Sequence, residues 1–315
     1  MTQTKHSKPI KQINASTIKQ ITPMTFKNYL LAKGFSKSTT EVYQKELLIY
    51  ITWCDINNIE AEEATYNEVI GYVQKLRKQQ VSQATIQKYL NSIKHYYNWL
   101  VKRNLRTDNP VLNINIKGIK RRILHDILNK QELEKIYFDY KNSPSKTLSK
   151  KRNEIIISLL IYQGLNTNSL KNLEVQDIKL REGKIHIKSA RRSNERTLKL
   201  EAHQVLDLMD YTLQVRQLIL NKTNKETDLL LVSLGTSSDL NGAITKLIKT
   251  LKKQDKKVQN LKQIRASVIT NWLKNYNLRE VQYFAGHRFV SSTEAYLIND
   301  LEDLQEDIEK YHPTN

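Results

Sequence analysis

NLKQIRASVITNWLKNYNLREVQYFAGHRFVSSTEAY, residues 260–296, is the stretch on which fold and chemistry turn. Ile264, Val268, Ile269, Trp272 and Leu273 recur at the spacings of an amphipathic helix. Its other side carries Lys262 and Arg265, three residues apart and therefore on one face. A second helix is expected from Leu278 to Ala285, closed by Gly286, which puts His287 just past a helix C-terminus. Ser291 and Glu294 have the spacing of a capping box, so Tyr296 is expected in the first turns of a third helix. Three adjacent elements can thus aim an arginine, a histidine and a tyrosine at one point.

Upstream the period changes. In residues 174–200, VQDIKL, KIHIKS after the REGK turn, and ERTLKL alternate as three short strands. Before them, Lys151 to Gln163 holds IIISLLI, apolar enough for a central buried helix, and Asn129 with Glu132 forms a capping pair that opens this domain. With helical pattern resuming after Glu201, residues 126–315 read as a mostly helical domain with one small antiparallel sheet.

Residues 21–112 read as a separate all-helical unit. Phe26, Tyr29 and Leu30 mark a helix ended by Gly34. The next begins near Ser38, with Val42, Tyr43, Leu47, Tyr50, Ile51 and Cys54 as its apolar stripe. Thr65 with Glu68 caps a third, and Ser82 a fourth that runs through Ile86, Leu90, Ile93, Tyr97, Leu100 and Val101. That last helix is expected to stop before Asn109-Pro110, because a residue preceding proline is pushed out of helical geometry. Residues 1–20 read as a flexible basic lead-in, and residues 113–125 as an exposed basic linker lying on DNA phosphates.

At 315 residues the chain is long enough for two domains, each with its own core. Lys and Arg number 51 against 32 Asp and Glu, a formal charge of +19, which favours a polyanionic partner, nucleic acid first. Cys54 is the only cysteine, which excludes an internal disulfide framework and cysteine-rich zinc sites. No run approaches the length of a membrane span, and MTQTKHSKPIKQ lacks the apolar region of a secretory signal, so a cytoplasmic protein is expected. No GxxxxGK[ST] occurs, so the chain offers no phosphate-cradling loop for ATP.

The ordered set Lys262-Gln263-Ile264-Arg265, Gly286-His287 and then Tyr296 resembles the box of the tyrosine recombinase, or phage integrase, family. GFSKSTTEVYQKELLIYITWC, residues 34–54, likewise resembles the opening of that family's core-binding domain, and the likeness covers the chain from residue 22 onward. The resemblance implies a mainly α fold: an N-terminal SAM-like helical core-binding domain, then a mixed, mostly helical catalytic domain with a small three-stranded antiparallel sheet. It implies a clamp on double-stranded DNA and chemistry without metal or cofactor. A monomer or weak oligomer when free would assemble as a homo-tetramer on two synapsed sites. The tail LINDLEDLQEDIEKYHPTN would dock on a neighbour through Leu297, Leu301, Leu304 and Ile308.

The implied roles make physical sense. A phosphodiester resists attack because its oxygens are negative, so cleavage needs an aligned nucleophile and cations where charge accumulates. The resemblance makes Tyr296 the nucleophile, storing the bond energy as a 3′-phosphotyrosine that a DNA hydroxyl later reverses. It makes Arg265 a fork of donors to the non-bridging oxygens. His287 would donate to the same phosphate or handle the tyrosine proton. Lys262 would act as a cationic donor where most relatives have histidine.

One position departs from the family. An earlier arginine is expected in a GLRxSEL-like turn, where this chain reads Gly164-Leu165-Asn166-Thr167-Asn168-Ser169-Leu170. Asn166 replaces the arginine and Ser169 the neighbouring glutamate, although the framing residues remain. Losing one preorganised donor typically costs about 3–4 kcal/mol, or roughly 100- to 1,000-fold in rate. A substitute is expected in KSARRSNERTLKL, residues 188–200: Arg191 stands near the family's lysine, Lys188 is the better proton donor because arginine is too weak an acid, and Arg191 or Arg192 replaces the missing clamp. Lys120, Arg121, Arg122, Arg192 and Arg196 are expected to bind DNA. Two alternatives stand beside a recombinase: a DNA-binding relative that has lost catalysis, and a type IB topoisomerase-like enzyme acting as a monomer.

Overall fold

Apolar residues at helical spacing build four helices near the N-terminus of the computed structural model, which describes residues 23–119, 126–145, 147–191, 193–236 and 239–297. They are α1 (Pro23–Ala32), α2 (Lys37–Ile56), α3 (Tyr66–Lys78) and α4 (Gln83–Lys102). Ser36, Thr65 and Ser82 cap the last three, and Thr65 with Glu68 closes both halves of a capping box. Phe26, Leu30, Leu47, Tyr50, Val69, Tyr72, Ile93 and Tyr97 form the core, with the Cys54 thiol fully enclosed. The phenols inside it are satisfied: Tyr97 donates to Ala61 O at 2.7 Å, and its oxygen lies 2.8 Å from that of Tyr50. Glu46, off the expected apolar stripe, is also buried, and its carboxylate pairs with Lys88 at 2.6 Å.

Helix α4 runs through Val101 and stops before Asn109-Pro110 as expected, ending at Lys102, where Arg103 N–H turns back to the Trp99 and Leu100 carbonyls and Asn104 takes a left-handed φ of 57°. One expectation for this region is corrected. The stretch expected as an exposed linker is not exposed at its start: Ile114 and Ile116 are buried in the first core, and Ile116 N–H donates to Gln87 Oε1 at 3.3 Å. An alternating pattern turns both isoleucines inward while Asn113 and Asn115 face out, and unbroken exposure begins at Lys117. Residues 1–20 and Lys120, Arg121 and Arg122 lie outside the described residues.

The chain divides into two compact units, the division falling between residues 122 and 123. The second holds α5 (Lys130–Lys141), α6 (Leu148–Tyr162), α7 (Thr167–Asn172), β1 (Ile178–Lys179), β2 (Lys184–Ile187), β3 (Arg196–Lys199), α8 (Ala202–Asp210), α9 (Arg216–Thr223), α10 (Asn241–Gln254), α11 (Leu261–Leu273) and α12 (Leu278–Ala285). A π-helical turn, Tyr211–Val215, joins α8 to α9. Residues 291–297 are helical again. The expected Asn129–Glu132 capping box opens α5, and α6 is buried from Ile155 through Ile161. The sheet runs β1-β2-β3, all antiparallel, with Ile185 opposite Leu198 and Ile187 opposite Arg196. Its first strand is shorter than VQDIKL suggested, because Val175–Asp177 coils into a 3₁₀ turn. No helix among the described residues is long and apolar enough to cross a membrane.

Helix α11 is less amphipathic than its spacing suggested: Gln263, Ile264 and every residue from Ala266 to Thr270 are buried. Polar side chains on it are consumed in fastening the helix to the chain entering this unit. Ser267 Oγ accepts Leu128 N–H at 2.9 Å and donates to Gln263 O, Gln263 Nε2 donates to Asp126 O at 2.7 Å, and Asn271 Nδ2 donates to Leu128 O at 3.0 Å. Replacing Ser267 by alanine leaves the buried Leu128 N–H without its acceptor. A loss of about 1–3 kcal/mol is expected in urea-denaturation midpoints of Ser267→Ala against the parent.

Candidate active site

Arg265 is placed by the start of α11. Asn260 Oδ1 accepts Gln263 N–H at 2.9 Å and fixes the first turn, and Arg265 follows one turn later. Its guanidinium bridges two chain ends: Nη1 donates to Gly164 O, past the end of α6, and Nη2 to Ala285 O, the last residue of α12, at 2.8 Å. Gly164 has a φ of 55°, and a β-carbon there would lie 3.0 Å from Trp272 and 3.2 Å from Val268, so the turn needs a glycine to lie against α11.

The end of α12 places the histidine as expected. Gly286 has a φ of 68°, its N–H returns to Tyr283 O and His287 N–H to Gln282 O, a Schellman ending that throws His287 out of the helix axis. His287 Nε2 lies 3.4 Å from Arg265 Nη2, and its Nδ1 lies 2.9 Å from Thr293 Oγ1. On its other side the imidazole stacks on the Tyr296 ring, centroids 5.9 Å apart and planes within 7°. The arginine, histidine and tyrosine of the 260–296 stretch therefore meet. One detail differs: Ser291 is already helical, and the N–H groups of Thr293 and Glu294 turn to Val290 O, so the helix begins one residue earlier than a Ser291 cap allows. The fully buried Thr293 is what orients His287, a role the sequence reading did not assign.

The site is positively charged and its arginine, histidine and tyrosine are partly buried. No carboxylate pairs with Arg265 among the described residues, and burial lowers its pKa. Burial, then the charges of Arg265 and Arg196, push His287 down to about 4. A neutral imidazole facing a donor-only guanidinium is assigned with its Nε2 lone pair toward Arg265 and its Nδ1–H donated to Thr293. Burial raises the Tyr296 phenol, and Arg265 opposes that rise, so at rest the phenol keeps its proton.

Arg265 and Tyr296 line a cavity of about 740 Å³ together with Asn166 and Lys262, both sequence-predicted, and with Lys249 and Lys252 of α10, which were not. Their i,i+3 spacing on an amphipathic helix was the available signal. Asn166 is the N-cap of α7: its Oδ1 accepts Ser169 N–H at 2.9 Å, leaving only the neutral amide Nδ2 to offer a ligand. Lys262 is exposed. Lys188 lies elsewhere, its Nζ 2.6 Å from Glu174 and 3.6 Å from Asp177, and the Glu174 hydrogen bond raises its pKa. Arg191 is exposed on the hairpin turn, where its carbonyl accepts from Arg288 at 3.4 Å, and Arg192 lies outside the described residues.

Arg196, expected on the DNA-facing surface, is instead 2 % exposed. Burial alternates along β3, so Arg196 shares the inner face with Leu198, a pattern legible in Arg-Thr-Leu-Lys. Its guanidinium abuts Gly286 so closely that a β-carbon there would collide with it, and its Nη1 donates to Ser193 Oγ at 3.2 Å. The hairpin tip is tied to the same place: Asn194 N–H donates to Gly286 O at 3.0 Å, and Ser193 forms a β-bridge with His287.

The Phage integrase family matches residues 126–302, and the N-terminal SAM-like domain of phage integrases matches residues 24–104. The chain belongs to the phage integrase family, the tyrosine-type DNA strand transferases. It is 27 % identical over 288 residues to tyrosine recombinase XerD of Oceanobacillus iheyensis, covering 90 % of this chain and 95 % of that one. Tyrosine recombinase XerC of the same organism is 24 % identical over 294 residues, 92 % of this chain and 95 % of the relative. Among solved structures, XerH site-specific recombinase bound to palindromic difH substrate shares the fold with a TM-score of 0.70 at 19 % identity, over 88 % of this chain and 80 % of XerH. The Tn1549 transposon integrase in complex with a circular intermediate DNA has a TM-score of 0.64 at 14 % identity, over 87 % and 94 %.

A histidine held neutral by its site gives stability a pH signature. The unfolded chain takes up this proton near the ordinary value of 6.5, the folded chain only near 4, so the contribution is complete above 6.5 and is lost as pH falls through that window. Melting curves from pH 7.5 down to 4 are expected to fall more steeply for the parent than for His287→Gln, which binds no proton there.

Proposed function

We propose that this chain is a site-specific DNA recombinase or integrase that cleaves and rejoins DNA through a 3′-phosphotyrosyl bond at Tyr296. The observation that carries this reading is the stacking of Tyr296 on His287, itself 3.4 Å from Arg265, beside a cavity rimmed by lysines. Gly164 and Ala285 carbonyls engage Nη1 and Nη2 of Arg265, so the guanidinium is held rigid while Nε–H and unused Nη–H groups remain for non-bridging oxygens. The phenol oxygen bonds to phosphorus, the bond from phosphorus to the 5′ oxygen breaks, and the phenolic proton passes to the neutral His287. The protonated imidazole is then a donor to the negative phosphate. A 5′-hydroxyl from the partner strand reverses each transfer, so no energy source is needed.

The departing 5′ oxygen needs a proton. Lys188 is our candidate for the donor, released from Glu174 when DNA reaches the hairpin, and Lys262 is the competing one because it lines the cavity. Arg191, Arg192 and the segment Lys120–Arg122 would hold flanking phosphates, as would Lys249 and Lys252. Four copies would synapse two duplexes in the cytoplasm. The second reading, a DNA-binding relative without catalysis, is favoured by one observation: Asn166 brings no charge to the cavity where the family arginine is expected.

Two experiments decide. On a nicked suicide duplex, whose sequence is drawn from a randomised pool by binding to this protein, the parent is expected to accumulate a detergent-resistant protein–DNA adduct and Tyr296→Phe none. A parent that binds the duplex and forms no adduct makes it a DNA-binding relative. On a duplex with a 5′-bridging sulfur, the leaving thiolate departs without a proton, so the variant lacking the acid recovers. Lys188→Ala is expected to lose cleavage by about 100-fold on ordinary DNA and to regain it on the sulfur substrate. Recovery of Lys262→Ala instead would assign the acid to α11.

A further inference from the structure

Arg196 is a buried cation without a counter-ion among the described residues. Its Nε and Nη2 are enclosed and hydrogen-bonded to nothing among the described residues, and its Nη1 meets only neutral acceptors, the Ser193 hydroxyl at 3.2 Å and Asn194 O at 3.4 Å. Burying a guanidinium in this way is unfavourable unless something of opposite charge completes it. Its surroundings are the phosphate machinery: it presses on Gly286, beside His287, and the charges of Arg265 and Arg196 act on each other and on the imidazole. Meanwhile Asn166, which lines the cavity beside Arg265 and Tyr296, is neutral and occupied with capping α7.

We propose that Arg196 is a positioning residue that supplies, from behind His287, the second positive charge that the Asn166 position lacks, completing with Arg265 the field that holds a phosphodiester in line for Tyr296. The proposal rests on the reading of Tyr296 as nucleophile. It differs from a surface clamp by Arg191 or Arg192, because an enclosed guanidinium acts from the protein interior, where charge counts for more than in water. Gly286 has a further reason to be glycine: any side chain there displaces the Arg196 guanidinium. The negative charge of a phosphate bound at Arg265 also offsets the repulsion between Arg196 and Arg265, which the free protein carries.

The test compares Arg196→Met, Arg196→Lys and Asn166→Arg/Arg196→Met on the selected nicked duplex, made once with an ordinary scissile phosphate and once with a neutral methylphosphonate. Arg196→Met is expected to form adduct about 100-fold more slowly on phosphate and to match the parent on methylphosphonate, where there is no negative charge to neutralise. Arg196→Lys is expected to lie between, and Asn166→Arg to restore the Met variant. The His287 ring resonances of Arg196→Met should titrate at higher pH than in the parent, since one repelling charge is gone. A deficit equal on both substrates, unrelieved by lysine or by Asn166→Arg, would mean that Arg196 only packs the hairpin and would overturn the proposal. A parent that forms adduct while Arg196→Met matches it on phosphate overturns the proposal alone. A parent that forms none overturns the recombinase reading and this proposal together.

Discussion

The guanidinium of Arg265 holds the catalytic unit's active end together. One side chain accepts the task of joining the turn after α6 to the terminus of α12, and the carbonyls it engages, Gly164 and Ala285, belong to segments far apart in sequence. Without it the two chain ends would present unpaired carbonyls to a buried region, which is costly. The same bonds fix the direction of the arginine's remaining donors. On the proposed reading, structural fastening and phosphate recognition are one interaction, and a change at Arg265 alters the pocket wall as well as its charge.

Much of this architecture was legible because local rules and tertiary demands agree. Capping pairs at Thr65–Glu68 and Asn129–Glu132, the apolar run of α6 and the glycine closing α12 each encode their element within a few residues. The site's core was legible for the same reason: its arginine, histidine and tyrosine lie within 32 residues on three successive elements whose boundaries are short-range signals.

What was not legible depends on contacts between distant segments. The burial of Ile114 and Ile116 required knowing that a core lay beside them. Arg196 was read by its charge, whereas strand alternation decided its place; in Arg-Thr-Leu-Lys the period outweighs the residue type. Spacing puts Lys249 and Lys252 on one face of α10, but that this face lines the cavity, and that Thr293 reaches His287, follows only from the packing of α10, α11 and the 291–297 helix.

The hairpin tip and the histidine share a backbone, since Ser193 bridges His287 and Asn194 donates to Gly286. A strand turn fastened in this manner is a lever: displacing the loop displaces the backbone that carries the imidazole stacked on Tyr296. On the proposed reading, cargo that grips the loop would therefore pull on the reactive centre as well, so that grip and readiness become a single event.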